Sequence, residues 1–336
     1  MNFFDILSQI ENLDPELSGR IDSRRSVFKH MGGLGQKLGA AALPLAVGAI
    51  FNKAYAQTQV GLSVVDVLNF ALRLEYLESI FYQQRSGLTS LSPTNSAALS
   101  QIATDEANHV TFLRTVITSL GGTPVTAPTA ATFDFTAGKG SGTGPFYGYN
   151  TNANAYLALA QSFEDLGVRA YKGAAPLTAV MANKTVLTAA LNIHSIEARH
   201  AAQIRAMRRA LATSSSTPPS QGIPASPYDV KPKSWVSGID NGGPAPAYTS
   251  PIYGSGNDSG SATYGASGTS TGTAAGVTFA PENSTTQGGV SLSTSTSTNF
   301  ANFPAAAFSE AFDEGLDVST VSTIAKLFVV SGSTFF

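Results

Sequence analysis

Two Glu-x-x-His pairs, Glu106/His109 and Glu197/His200, are the residues of this sequence best placed to do chemistry. On a helix, positions i and i+3 share a face, so a carboxylate and an imidazole at that spacing can grip one metal ion. Each pair follows another glutamate at nearly the same distance, Glu75 before Glu106 and Glu164 before Glu197. Two pairs plus one glutamate from each of two further helices make a six-donor set able to hold two metals inside a bundle. Histidine is scarce. Of the four in the chain, two complete these pairs, and the others are His30 and His194.

One Glu-x-x-His on a helix is ordinarily a solvated face or a hydrogen-bonded pair. Two in register, each with an upstream glutamate, call for more, and their position decides the matter: these carboxylates interrupt apolar stripes. The stripes read Leu68, Leu72, Glu75, Ser79, Tyr82; Ile102, Glu106, His109, Leu113, Val116; Leu157, Ala160, Glu164, Val168, Tyr171; and Ile193, Glu197, His200, Ile204, Met207. An unpaired carboxylate in a core costs several kcal/mol, and four converging ones repel each other. Bound cations are the ordinary remedy.

The two halves are alike. Glu75-Tyr-Leu-Glu-Ser-Ile-Phe-Tyr82 aligns with Glu164-Asp-Leu-Gly-Val-Arg-Ala-Tyr171, each with a tyrosine two helical turns after the glutamate. Tyr82 and Tyr171 therefore face the same interior as the glutamates, and a buried phenol needs a partner, for which a ligand carboxylate is the natural candidate. Glu78 competes with Glu75 for the ligand role on the first helix. The alignment favours Glu75, because Glu78 falls opposite Gly167 and has no counterpart.

These segments resemble the ferritin-like superfamily of di-iron and di-manganese carboxylate proteins, and within it exported bacterial ferritin-like domain proteins akin to plant desiccation-related proteins. The resemblance is carried by Val67-Leu-Asn-Phe-Ala-Leu-Arg-Leu-Glu-Tyr-Leu-Glu78, Asp105-Glu-Ala-Asn-His-Val-Thr-Phe-Leu113, Ser162-Phe-Glu-Asp-Leu-Gly-Val-Arg-Ala-Tyr171 and Ile196-Glu-Ala-Arg-His-Ala-Ala201. It covers residues 62–211, with a weaker echo near 305–330. It implies that Glu75, Glu106, His109, Glu164, Glu197 and His200 take the six ligand roles. It implies a metal-bundle fold more firmly than any one reaction.

Stepping outward, the expected fold is all-α, a ferritin-like four-helix bundle over residues 57–212. Helices are expected over 62–85, 94–120, 153–174 and 182–212. Ser92-Pro93 opens the second and Gly121-Gly122 stops it. Residues 121–151 lack helical periodicity. A helix of about 26 residues is roughly 40 Å long, and an extended chain of that length returns along it easily. The bundle topology needs such a crossover between helices two and three, which run parallel. The first helix has a second apolar stripe, Phe70, Leu74, Leu77 and Phe81, which a partner subunit, the crossover or the C-terminal segment must cover. Residues 305–336, with Asp317 as a helix cap, are expected to pack back onto the bundle, and a homo-oligomer through this stripe is the alternative.

Residues 213–304 are rich in Ser, Thr, Gly and Pro and read as irregular, wrapping or solvated chain, with runs such as Val290-Ser-Leu-Ser-Thr as edge strands. Residues 1–56 resemble a twin-arginine export signal. Ser23-Arg-Arg-Ser-Val-Phe-Lys29 is followed by an apolar run from Leu38 to Phe51 and the small-x-small site Ala54-Tyr-Ala56. The expected location is periplasmic or secreted, with a membrane tether if the signal stays uncleaved. The chain has no cysteine, which excludes disulfides, thiolate ligands and iron–sulfur chemistry, and its formal charge of −2 gives no electrostatic case for nucleic acid.

Four carboxylates and two imidazoles are hard or borderline donors that suit two iron or two manganese ions. Each cation is held by a Glu-x-x-His pair with Glu75 and Glu164 bridging, or the reverse. The expected chemistry is redox turnover with O2 or peroxide, of ferroxidase, peroxidase or catalase type. The alternative is a metal-stapled structural or desiccation-protective protein without turnover, and iron storage ranks last. Arg199 is expected to pair with Asp105 or Asp165. Arg205, Arg208 and Arg209 are expected to complement the dipole of the fourth helix.

Overall fold

The computed structural model describes residues 62–212, 232–256, 279–287, 290–292 and 305–336. The expected signal segment, residues 1–56, lies outside them. Four long helices carry the centre: α1 (Val64–Gln83), α2 (Pro93–Ser119), α3 (Ala153–Ala174) and, after the short α4 (Thr178–Met181), α5 (Lys184–Leu211). All four sequence-derived helices are present, with bounds shifted by three residues or fewer.

Each long helix starts where a side chain can take over an unpaired backbone N–H. Ser63 and Asp66 form a capping box on α1, with N–H to side-chain distances of 3.1 and 3.0 Å. Ser92 with Pro93 opens α2, and Asn152 and Asn183 cap α3 and α5. Gly121, at φ +77°, ends α2 in the left-handed region that a side chain would resist.

Contacts along the rods give their directions. Tyr82 meets Glu164 while Tyr171 meets Glu75, so α1 and α3 are antiparallel. Asn69 donates to the Thr123 carbonyl just past the end of α2 at 3.1 Å while His109 meets Glu75, so α2 also opposes α1. Arg205 meets Asp165 and Arg208 meets Gln161, so α5 opposes α3. It follows that α2 and α3 are parallel, as the long crossover requires.

That crossover is not slack. Phe133, Phe135 and Phe146 are buried beneath it, and Phe81 of α1 stacks on Tyr156 (4.4 Å between ring centroids) and meets Phe163 and Phe135 edge-on or tilted at 5.1 and 5.4 Å. The C-terminal segment completes the cover. Helix α8 (Val318–Ala325) is capped by Asp317 as expected, Phe328 packs on Phe163 at 4.7 Å, and Phe133 and Val329 form an antiparallel β-bridge. The second apolar stripe of α1 is therefore closed by its own chain, from both the crossover and the C-terminus.

The composition-based reading of residues 213–304 needs correction. Residues 232–256 wrap the bundle as expected of irregular chain, but they are not a solvated insertion. Helix α6 (Pro246–Tyr253) buries Ile252 and Tyr253, and Asp240 is buried beside them. What holds them is polar: Arg205 binds Asp165 Oδ2 at 2.5 Å and Asp240 Oδ2 at 3.0 Å, and the Tyr253 hydroxyl donates to Asp165 at 2.6 Å. Arg169 likewise bonds the carbonyls of Ile252, Gly254, Ala280, Glu314 and Gly315, and its Nε lies 2.8 Å from Glu282. Arg205 and Arg208 are thus interior residues of a network, where a dipole-facing surface role was expected. Composition hid this because arginines on the bundle, not apolar residues in the segment, do the anchoring.

Residues 62–212, 232–256, 279–282 and 313–336 form one compact unit. The described residues of 283–312 belong to a second, with the hairpin of β1 (Thr286–Gln287) and β2 (Val290–Ser291) and the short helix α7 (Ala305–Ser309). Among the described residues no helix is long and apolar enough to cross a membrane.

Phe81 is the hub of the aromatic cluster that backs α1. Replacing it by Ala should lower unfolding stability by about 3–5 kcal/mol, read by urea denaturation; a loss under about 1 kcal/mol would contradict this packing.

Candidate metal centre

All six expected donors meet in the bundle interior. Glu75 (1% exposed), Glu106 (0%), Glu164 (0%) and Glu197 (1%) are fully buried, and His109 and His200 nearly so, at 9% and 6%. Their donor atoms form two groups that share Glu106. In the first, single atoms of Glu75, Glu106, His109 and Glu197 lie within 4.8 Å of one another; in the second, those of Glu106, Glu164 and His200 do.

Glu106 is the link. Its Oε2 lies 3.2 Å from His109 Nδ1 and its Oε1 lies 2.9 Å from His200 Nδ1. Glu75 Oε2 reaches His109 Nδ1 at 3.1 Å, Glu164 Oε2 reaches His200 Nδ1 at 3.3 Å, and Glu197 Oε1 is 3.9 Å from His109 Nδ1. The sequence left two bridging arrangements open. The contacts favour the one in which Glu106 spans both positions, with Glu75 and Glu164 beside one histidine each.

The surrounding hydrogen bonds aim the donors. Tyr82 donates to Glu164 and Tyr171 to Glu75, so each tyrosine serves the glutamate of the opposite half. Burial, then the charge of the facing glutamate, pushes both phenols well above their usual range, so they stay protonated donors. His200 Nε2 lies 3.2 Å from Asp105 Oδ2, and a carboxylate only accepts. The ring proton thus sits on Nε2, and the Nδ1 lone pair faces the interior. His194 instead bonds the Val168 carbonyl at 3.0 Å, outside the cluster. Arg199 forms no ion pair with Asp105 or Asp165, which bind His200 and Arg205; its Nε donates to the Ser195 carbonyl at 3.4 Å.

Within this constellation, several buried atoms have no hydrogen-bond partner: Glu106 Oε1, Glu164 Oε2, both oxygens of Glu197, Glu78 Oε2 and His200 Nδ1. The close Glu106–His200 approach is a contact without hydrogen-bond geometry. Unpaired buried polar atoms are rare because each costs about 1–3 kcal/mol. Here they are neighbours and point at one another, an arrangement that a cation would satisfy.

A model of the ferritin-like domain family matches residues 63–210. Those residues form a ferritin-like domain. No curated protein and no solved structure matches the chain. The match spans the four helices of the ferritin-like domain and both Glu-x-x-His pairs, so the fold and the buried Glu/His cluster together mark the interior as a place that can bind metal.

Sequence reasoning missed three neighbours of the cluster. Asp105, from the sequence one of two candidate partners for Arg199, stands beside Glu106 on α2 and meets His200 instead. Glu78 was set aside, yet it is buried and its oxygen groups with those of Glu164 and Glu197. Gly167 has the least legible role. A Cβ there would stand 2.5 Å from Glu197 Oε2, so the missing side chain is what gives Glu197 its place.

Electrostatics make the metal-free centre sensitive to pH. Burial, then neighbouring carboxylates, raises Glu106 and Glu197 well above the usual range, and burial with the charges of Glu164 and Glu75 does so for Glu78. His200 is also raised, with Glu164 and Asp105 outweighing burial. Glu75 alone among these is lowered: burial opposes its charge, but His109 overrides it. Groups raised in the folded state stabilise it while protonated, and that contribution fades as pH climbs from the unfolded value through the folded one. The metal-free protein should therefore lose thermal stability as pH rises above the ordinary glutamate range. Glu106→Gln combined with Glu197→Gln should flatten that slope in a melting series, and an unchanged slope would contradict the assignment.

Proposed function

We propose that this protein is a dinuclear iron or manganese carboxylate protein that carries out redox chemistry with O2 or peroxide. The observation that carries the reading is the set of unpartnered buried donors shared through Glu106 between two histidines. Glu75 and His109 would hold one ion, Glu164 and His200 the other, with Glu106 and Glu197 between them. When bound, such a pair supplies two-electron exchange with an oxidant.

The chain's own residues then have definite tasks. Tyr82 and Tyr171 keep their protons on Oη and fix the outer oxygens of Glu164 and Glu75, leaving the other oxygens directed inward. Asp105 holds His200 in the tautomer that presents Nδ1. The Phe81 cluster and the C-terminal cover keep water from the back of α1. On another side, an apolar slot lined by Phe112, Leu113 and Val116 of α2 and by Ala189, Ala190 and Ile193 of α5 extends to Tyr171. Such a lining admits a small apolar molecule such as O2 more readily than ions, which favours oxidant chemistry over iron storage.

Anaerobic loading with Fe(II) followed by O2 or peroxide tests the reading. Fast oxidation with repeated turnover is the expected result. A tightly held metal pair that does not react would establish the metal-stapled structural role instead. Glu106→Ala with Glu197→Ala should abolish binding of two metals by elemental analysis; retention of both would overturn the ligand assignment.

We also propose export by the twin-arginine route to the periplasm or beyond, supported by Ser23-Arg-Arg-Ser-Val-Phe-Lys29 and the apolar run after it. Arg24→Lys with Arg25→Lys should retain the full-length protein in the cytoplasm on cell fractionation. Normal export of that variant would refute the route.

A further inference from the structure

The two halves of the centre repeat each other in their six donors and two tyrosines but differ three residues after the first glutamate of each. Tyr82 on Glu164 mirrors Tyr171 on Glu75, and Glu106/His109 mirrors Glu197/His200. Three residues after Glu75 comes Glu78, whereas three residues after Glu164 comes Gly167. Both members of this mismatched pair are tied to the same carboxylate. Glu78 contributes an oxygen to a group with Glu164 and Glu197, all three atoms within 4.8 Å of one another. Gly167 leaves the space that Glu197 Oε2 occupies, since a Cβ would come within 2.5 Å of it.

We propose that Glu78 is a seventh ligand, on the Glu164/His200 side, and that it makes the two metal positions unequal. The inference rests on the dinuclear reading above and extends it. Glu78 is 4% exposed and its Oε2 has no hydrogen-bond partner. No arginine or lysine is paired with it among the described residues. A glutamine would fill the same space without the charge, so a carboxylate here has no packing rationale; beside Glu164 and Glu197 it adds negative charge where a cation is to sit. The opposite half has no such carboxylate: Gly167 carries no side chain, and a Cβ there would force the Glu197 carboxylate to shift. One position therefore has Glu164, His200, the shared Glu106 and Glu197, and Glu78. The other has Glu75, His109 and the same two shared carboxylates.

The additional anionic donor ranks the two positions. The Glu164/His200 position fills first, and the Glu75/His109 position fills second and gives up its ion more readily. Removing groups that merely orient a ligand costs about 10- to 100-fold in metal affinity, so loss of a direct charged donor should reach at least the lower figure.

Titration of the full-length metal-free protein with Co(II) or Mn(II) alone tests this. Co(II) is followed by its visible absorption, and free Mn(II) by electron paramagnetic resonance. The wild type should bind two ions in two steps separated by about tenfold or more. Glu78→Gln should still bind two ions, but with the tighter step weakened about tenfold so that the steps merge. A Glu78→Gln titration superimposable on the wild type overturns the proposal, as does a wild type that binds two ions in one undivided step. If the wild type binds no metal, the dinuclear reading itself has failed. Circular dichroism reports whether the variant folds. Should Glu78→Gln not fold, Glu78→Asp, which withdraws the carboxylate by one methylene, is read by the same criteria.

Discussion

A cluster of carboxylates inside an apolar bundle is the constraint to which the rest of this structure answers. Glu75, Glu78, Glu106, Glu164 and Glu197 lie where solvent cannot shield them, and among the described residues two histidines face them. Without added positive charge, most of these acids must carry protons. The folded state therefore stores a preference for cations in its core. The donors leave several lone pairs facing inward, while Tyr82, Tyr171 and Asp105 engage outward-facing atoms of Glu164, Glu75 and His200.

Holding such a cluster together requires rigid walls. The aromatic cluster on Phe81 and the C-terminal cover brace α1 from behind. At the other end, Arg205 and Arg208 of α5 and Asp165 and Gln161 of α3 form a second buried polar knot. This one has its own counter-charges and is complete without a cation. The contrast separates two uses of buried charge in one bundle. The arginine-bearing network fixes the wrapping segment, whereas the one lacking arginine keeps its charge deficit for a ligand.

Much of this was legible in the residues. The interrupted stripes on α1, α2, α3 and α5 located both the helices and their inward faces, because a 3.6-residue period and a burial preference act locally. The six donors followed from spacing and from the likeness of the halves. What escaped depends on distant partners. Whether Glu78 faces inward depends on Gly167, far along the chain, leaving room for Glu197. The burial of residues 232–256 depends on Arg169 and Arg205, whose long side chains read as surface charge until the carbonyls and carboxylates they reach are known. The pairing of Tyr82 with the opposite glutamate was likewise a matter of how α1 and α3 cross, which periodicity does not encode.

The β-bridge between Phe133 and Val329 has an implication for biosynthesis. Its two strands of chain are separated by most of the sequence, including all of α3 and α5. A ribosome-bound intermediate can coil its helices, but it cannot seal the back of α1 until Phe328 and Val329 have emerged. Closure of the domain consequently waits on residues 326–336, and removing them would leave the aromatic seam behind α1 unzipped.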